Sequence, residues 1–150
     1  MIPPFRRNGT LPPGIHWTTW EEFIQRFGAN AHRQGLLAGL KAALENLRQA
    51  GCQQVYIDGS FVTEKTEPRD FDACWSKVGV EPEKLDPVLL DFSQERAAQK
   101  AKYNGELFIA EAPANEQRVF PDFFQRDRRN QRKGIIGISL GNQARSCDDR

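Results

Sequence analysis

Asp70 and Asp72 stand two positions apart at the head of an apolar run, Phe71-Asp72-Ala73-Cys74-Trp75. In an extended strand, residues i and i+2 face the same way, so both carboxylates project from one side of a sheet while Phe71 turns to the other. Two ionised carboxylates that close repel each other. Oxygen donors of this kind suit a hard divalent cation, Mg2+ or Mn2+. A third carboxylate would complete a site able to hold two such ions for phosphoryl transfer. Upstream, another β-prone run, Val55-Tyr56-Ile57, ends in Asp58-Gly59-Ser60. Glycine lets backbone approach a phosphate closely, and the N–H groups of the bend together with the Ser60 hydroxyl can cradle it. An acid pair beside an anion cradle is the outline of metal-assisted chemistry on a phosphate ester.

The elements that must position these groups are legible from spacing. Asn30 caps a long helix over residues 31–50, with Leu36, Leu37, Leu40, Leu44 and Leu47 on one stripe and Gly51 after its end. Before it, Thr18 or Thr19 caps a short helix carrying Trp20, Phe23, Ile24 and Phe27, closed by Gly28. Residues 1–16, with Pro3-Pro4 and Pro12-Pro13-Gly14, form an extended arm. Asp86-Pro87 opens a helical pattern that runs toward Tyr103, with a break at Ser93. Leu107-Phe108-Ile109 is a third strand, Val119 to Phe124 a short helix, and Gly134 to Leu140 a last strand. Residues 141–150 read as a flexible polar tail. The order helix, helix, strand, strand, helix, strand, strand makes a layered α/β or α+β domain over residues 17–140.

Composition narrows the partners. The chain has 150 residues, 21 Lys and Arg against 20 Asp and Glu, and a net charge of +1. It is no polycation, so a nucleic-acid surface has to be a local patch. No apolar run approaches the ~20 residues of a bilayer span, and no secretory leader is recognisable. Cys52, Cys74 and Cys147 share no metal-ligand spacing and read as reduced thiols, which points to the cytoplasm.

A helix, a strand ending in Gly59-Ser60, a polar stretch, and Asp70-Phe71-Asp72 heading the next strand together resemble the nucleotidyltransferase superfamily, the DNA polymerase β-like fold. The likeness covers about residues 31–111. Over residues 11–140 the chain is also similar to a group of small bacterial proteins with this core and no settled substrate. That second likeness is carried by Leu11-Pro12-Pro13-Gly14-Ile15-His16, Asp58-Gly59-Ser60-Phe61-Val62, Asp70-Phe71-Asp72, Leu85-Asp86-Pro87-Val88-Leu89-Leu90-Asp91-Phe92, Ala97-Ala98-Gln99-Lys100-Ala101-Lys102-Tyr103 and Phe123-Phe124-Gln125-Arg126-Asp127-Arg128 with Lys133-Gly134-Ile135.

The superfamily resemblance implies a small mixed sheet with helices mainly on one face. It implies that Gly59 and Ser60 bind nucleotide phosphates and that Asp70 and Asp72 hold Mg2+ or Mn2+. A carboxylate on a later strand is the third ligand. Glu106 fits if that strand runs parallel to the Asp70 strand and Glu111 fits if it is antiparallel, and Glu106 is the one we favour. The implied activity is metal-dependent transfer of a nucleotidyl group from a nucleoside triphosphate to a protein or RNA acceptor. By analogy the setting would be toxin–antitoxin or phage defence, with an antitoxin or toxin as partner. The turn continues Phe61-Val62-Thr63 without the arginine that many minimal members carry there. The alternative is a catalytically inactive module of the same fold that binds RNA or a partner protein.

Two basic groups complete the reading. Arg96 and Lys100 are one helical turn apart and could face a triphosphate. Arg126, Arg128, Arg129, Arg132 and Lys133 crowd eight positions with only Asp127 opposing them, either as a phosphate-contacting loop or as a solvated one.

Overall fold

The structure, a computed structural model, describes residues 1–141. Nine strands and α-helices follow one another among the described residues, with short 3-10 turns between some of them: β1 (Gly14–Thr18), α1 (Trp20–Phe27), α2 (Ala31–Gln49), β2 (Gln54–Asp58), β3 (Phe71–Trp75), α3 (Ser93–Tyr103), β4 (Gly105–Ile109), α4 (Phe120–Phe124) and β5 (Gly134–Ser139). The five strands form one open mixed sheet in the order β1-β5-β2-β3-β4. The outer pairs β1·β5 and β3·β4 are parallel, and the inner pairs β5·β2 and β2·β3 are antiparallel. With four helices among the described residues, this is a mixed α+β fold.

The helices start and stop where their chemistry dictates. Thr19 Oγ1 accepts from the Glu22 N–H at 3.2 Å to begin α1, and the Asn30 side chain accepts from the Arg33 N–H at 2.8 Å to begin α2. The apolar stripe of α2 lies on the sheet. Leu40, Leu47, Phe23 and Phe27 are buried against Val55, Ile57, Phe71, Ala73, Trp75, Leu107, Ile136 and Ile138. This is the main core, and truncating one of its fully buried leucines to alanine costs about 2–5 kcal/mol. Gly39 is where α2 meets the end of α3: a Cβ there would sit 2.1 Å from the Tyr103 carbonyl oxygen, so only glycine permits the approach. On the opposite face a smaller cluster, Cys74, Ala110, Phe124 and Ile135, packs under α4. The expectation of helices mainly on one face therefore holds, with α4 the exception.

Two local features differ from or refine the expectations. The sequence reading has no strand before α1, yet residues 14–18 pair in parallel with β5 along the edge of the sheet. The partner strand lies far along the chain, so no local periodicity announces the pairing. The arm before it is packed down, with Ile2 and Leu11 in the main core. The break anticipated at Ser93 is present: a short 3-10 turn, Pro87–Leu90, precedes α3. Gln94, Glu95 and Arg96 then take left-handed φ values of 50°, 56° and 62° before the helix becomes regular. The predicted tail beyond Gly141 lies outside the described residues.

Candidate active site

Three carboxylates line up across three adjacent strands. Asp58 on β2 is the register partner of Asp72 on β3, which is the register partner of Glu106 on β4. Strand alternation decides where they face. Ile57, Phe71, Ala73 and Leu107 enter the main core, so Asp58, Asp72 and Glu106 project from the other face. Asp70 directly precedes β3 and lines a hollow of ≈ 570 Å³ with Arg69, Lys100, Asn104 and Glu106. The sequence expectation that Phe71 is buried while the acids flanking it lie on the opposite side is realised, with Phe71 wholly inaccessible.

Because β3 and β4 are parallel, Glu106 falls beside Asp72 and Glu111 falls at the far end of the strand pair. There Glu111 accepts from Ser76 Oγ at 2.6 Å and from the Lys77 N–H at 2.9 Å. Those hydrogen bonds hold its carboxyl below the usual range even though burial opposes them.

The acid row behaves differently. Burial, then the repulsion of Glu106, Asp58 and Asp70, pushes Asp72 up to about 7. Asp70 is raised by burial and by Glu106. Asp58 is raised by burial despite its ion pair with Lys133. At the other end of the row Glu106 meets Arg96 Nη2 at 3.3 Å and Lys100 Nζ at 3.2 Å. Arg96 and Lys100, the two residues expected to face a triphosphate, both engage Glu106. The Arg96 guanidinium also lies 5.4 Å from the centre of the Phe108 ring.

Gly59 belongs to the same constellation. Its φ is 87°, and a Cβ there would stand 2.7 Å from Asp72 Oδ2. The bend must be glycine both for its conformation and because the Asp72 carboxylate occupies the space. Ser60 opens a single 3-10 turn, Ser60–Val62, and its carbonyl accepts from Thr63 Oγ1 at 2.6 Å.

The loop from this bend to Asp70 is gripped by the start of α2. Asn30 Nδ2 donates to the Thr66 carbonyl at 2.9 Å, and His32 Nε2 lies 2.5 Å from the Pro68 carbonyl. The Arg33 guanidinium donates to the carbonyls of Phe27, Phe61, Thr63 and Lys65 at 2.6–3.2 Å. Arg33 is 4% exposed, a buried cation satisfied by neutral oxygens alone. Sequence reasoning missed it, although a signal existed: Arg33 falls three and four positions before Leu36 and Leu37, on the apolar stripe. The Lys133–Asp58 pair was also missed, because 75 positions separate the two residues.

The donor chemistry of Asp70, Asp72 and Glu106 is all-oxygen and acidic, which fits Mg2+ or Mn2+. Among the described residues, no three His, Cys, Asp or Glu side chains are gathered into a ready-made metal cage. Among them, too, no helix is long and apolar enough to cross a membrane.

A family model matches residues 3–139, and the chain belongs to that family, the family of unknown function DUF6932. No curated protein and no solved structure matches the chain.

Proposed function

We propose that the protein is a metal-dependent nucleotidyltransferase that moves a nucleotidyl group from a nucleoside triphosphate to an RNA or protein acceptor. One observation carries the reading. Asp72 lies between Asp58 and Glu106 in register, with Asp70 beside it and the Gly59 backbone against its carboxylate. Buried like charges in one row are costly, and two of these acids, Asp70 and Glu106, line an open hollow. Three successive non-glycine residues in left-handed backbone, Gln94 to Arg96, bring Arg96 to the same row. Strain of this kind tends to collect at working sites.

In this reading Asp70, Asp72 and Glu106 hold Mg2+ or Mn2+, which when bound would neutralise charge on the triphosphate and acidify an acceptor hydroxyl. The backbone N–H groups at Gly59-Ser60 and the Ser60 hydroxyl receive the phosphates. The acceptor oxygen forms its bond to the α-phosphorus as the α–β bridging bond breaks. Pyrophosphate leaves toward Ser60 and the Arg96 and Lys100 cations, and the acceptor's proton passes to a carboxylate of the row, Glu106 being placed to take it. Arg96 and Lys100 would exchange Glu106 for phosphate oxygens, a charge-assisted contact of the same kind. A toxin–antitoxin or phage-defence setting, with an antitoxin or toxin partner, remains the expectation by analogy.

A specific observation favours a second reading, the inactive module. Lys133 on Asp58, and Arg96 with Lys100 on Glu106, already supply the row with internal cations. Thermal unfolding with ATP, CTP, GTP or UTP, each with and without Mg2+ or Mn2+, separates the two. A ligand that binds only the folded state adds RT ln(1 + [L]/Kd), about 2.7 kcal/mol at a hundredfold excess over Kd. The transferase requires a metal-dependent rise with at least one triphosphate, and its loss in Asp70→Asn/Asp72→Asn. No rise with any pair would leave the binding module.

A further inference from the structure

The acid row is flanked by cations on both sides, and the two sides differ. On the β4 side, Lys100 and Arg69 line the hollow that holds Asp70 and Glu106, and Arg96 pairs with Glu106. On the β5 side, Lys133 touches Asp58 and is the last residue of the connection between α4 and β5. Residues 126–133 of that connection, after Gln125, are Arg-Asp-Arg-Arg-Asn-Gln-Arg-Lys and include no apolar side chain.

It is a built hairpin. Arg126 and Arg132 form a β-bridge, and the Lys133 N–H donates to the Gln125 carbonyl at 2.9 Å. Asp127 Oδ1 accepts from the N–H groups of Arg129 and Gln131, both at 2.8 Å. Asn130 turns the chain at φ 64°. The N-terminal arm buttresses it: Arg6 Nη2 donates to the Arg132 carbonyl at 3.1 Å. One oxygen of the loop's only acid, Asp127, is engaged by the turn, while Arg128, Arg129 and Arg132 are exposed. Among the described residues none of these three meets a carboxylate at ion-pair distance.

We infer that this hairpin is the acceptor side of the site and that the acceptor is a nucleic acid, laid by its phosphodiester backbone along Arg128, Arg129 and Arg132 with its end directed at Asp72. The inference rests on the transferase reading above and names that reaction's second substrate. A single triphosphate is served by the β4-side cations and the Gly59-Ser60 bend, so the hairpin's guanidiniums answer to further phosphates. A protein acceptor would need some apolar contact area at the centre of its interface, and the hairpin offers none. Guanidiniums held on a fixed frame suit successive phosphates, which position a strand without reading its sequence.

The test uses the whole protein and the Arg128→Gln/Arg129→Gln/Arg132→Gln variant, which leaves Lys133 and the turn untouched. Fluorescence anisotropy measures binding of a labelled single-stranded RNA, a DNA of the same sequence, and polyglutamate of matching charge, across a salt series. The triphosphate–Mg2+ melting shift is read in parallel. The expected result is salt-dependent binding of nucleic acid to the wild type. In the variant, the slope of log K against log salt should flatten by about 2, from ~0.7 per lost single-strand phosphate contact, with the melting shift unchanged.

The RNA and DNA arms identify the source of the backbone. If the wild type binds neither, or the variant binds as well as wild type, while the melting shift is present, the acceptor proposal falls and the transferase reading stands. Polyglutamate binding as tightly as RNA would overturn the proposal in favour of an acidic protein. No melting shift with any triphosphate removes the transferase reading and, with it, any acceptor role for the hairpin.

Discussion

The β3–β4 strand pair carries a carboxylate arrangement at each end, and the two are opposites. At the far end Glu111 is fully answered by the Ser76 hydroxyl and the Lys77 N–H, and its proton affinity is depressed. At the near end Asp70 and Asp72 crowd Glu106 and Asp58, and burial plus mutual repulsion raise them. Carboxylates at the two ends behave oppositely because Glu111 is met by donors alone, whereas Asp70 and Asp72 face further acids and the nearby cations engage Glu106 and Asp58. A carboxylate with its donors in place fixes a corner of the fold. One held among its own kind is not tied down by the fold in this way, and on that contrast we propose the acid row as the working end.

The sharpest way to break the contrast is to neutralise each end in turn. Asp70→Asn/Asp72→Asn is expected to abolish the triphosphate–Mg2+ melting shift, whereas Glu111→Gln should leave it intact; equal effects would erase the distinction. Next in size is Gly59→Ala, which forces a side chain into left-handed backbone and against Asp72 Oδ2. A loss of about 1–3 kcal/mol in denaturant unfolding is expected, along with a weakened melting shift. Glu111→Ala strips the acceptor from Ser76 and Lys77 and should cost about 1 kcal/mol, the net worth of a typical hydrogen bond, by unfolding alone.

In the pH dependence the two ends have opposite signs. Asp72 binds its proton more tightly folded than unfolded, so stability falls as pH rises from its ordinary value of 3.8 to about 7 and is level beyond. Glu111 has a depressed folded value, so its contribution is complete above its ordinary 4.5 and is lost as pH falls through the folded value. Melting temperatures between pH 3 and 9 check this. Asp72→Asn should flatten the neutral limb and Glu111→Gln the acid limb.

What the sequence revealed follows the range of the interactions. The Asn30 cap, the stripe of α2, the Ser93 break and the opposite facing of Phe71 and its flanking acids are local, and each is legible in a few residues. The direction of β4 is not local. Glu106 and Glu111 were separable only by whether two strands run together, and the connection between them leaves both directions open. Strand β1 escaped for the same reason, since its partner begins at Gly134. Arg33 escaped for another: an arginine at the start of a helix suggests solvent, and only the carbonyl-rich loop folded over it supplies its partners.

That loop has a further consequence. Asn30, His32 and Arg33 hold the path from Phe61 to Pro68 by main-chain oxygens, so the clasp does not depend on the side chains of residues 64–67. Glu64, Lys65, Thr66 and Glu67 can be exchanged without altering the distance from the Gly59 bend to Asp70. The composition of this stretch can therefore change while the spacing from the Gly59 bend to Asp70 stays constant.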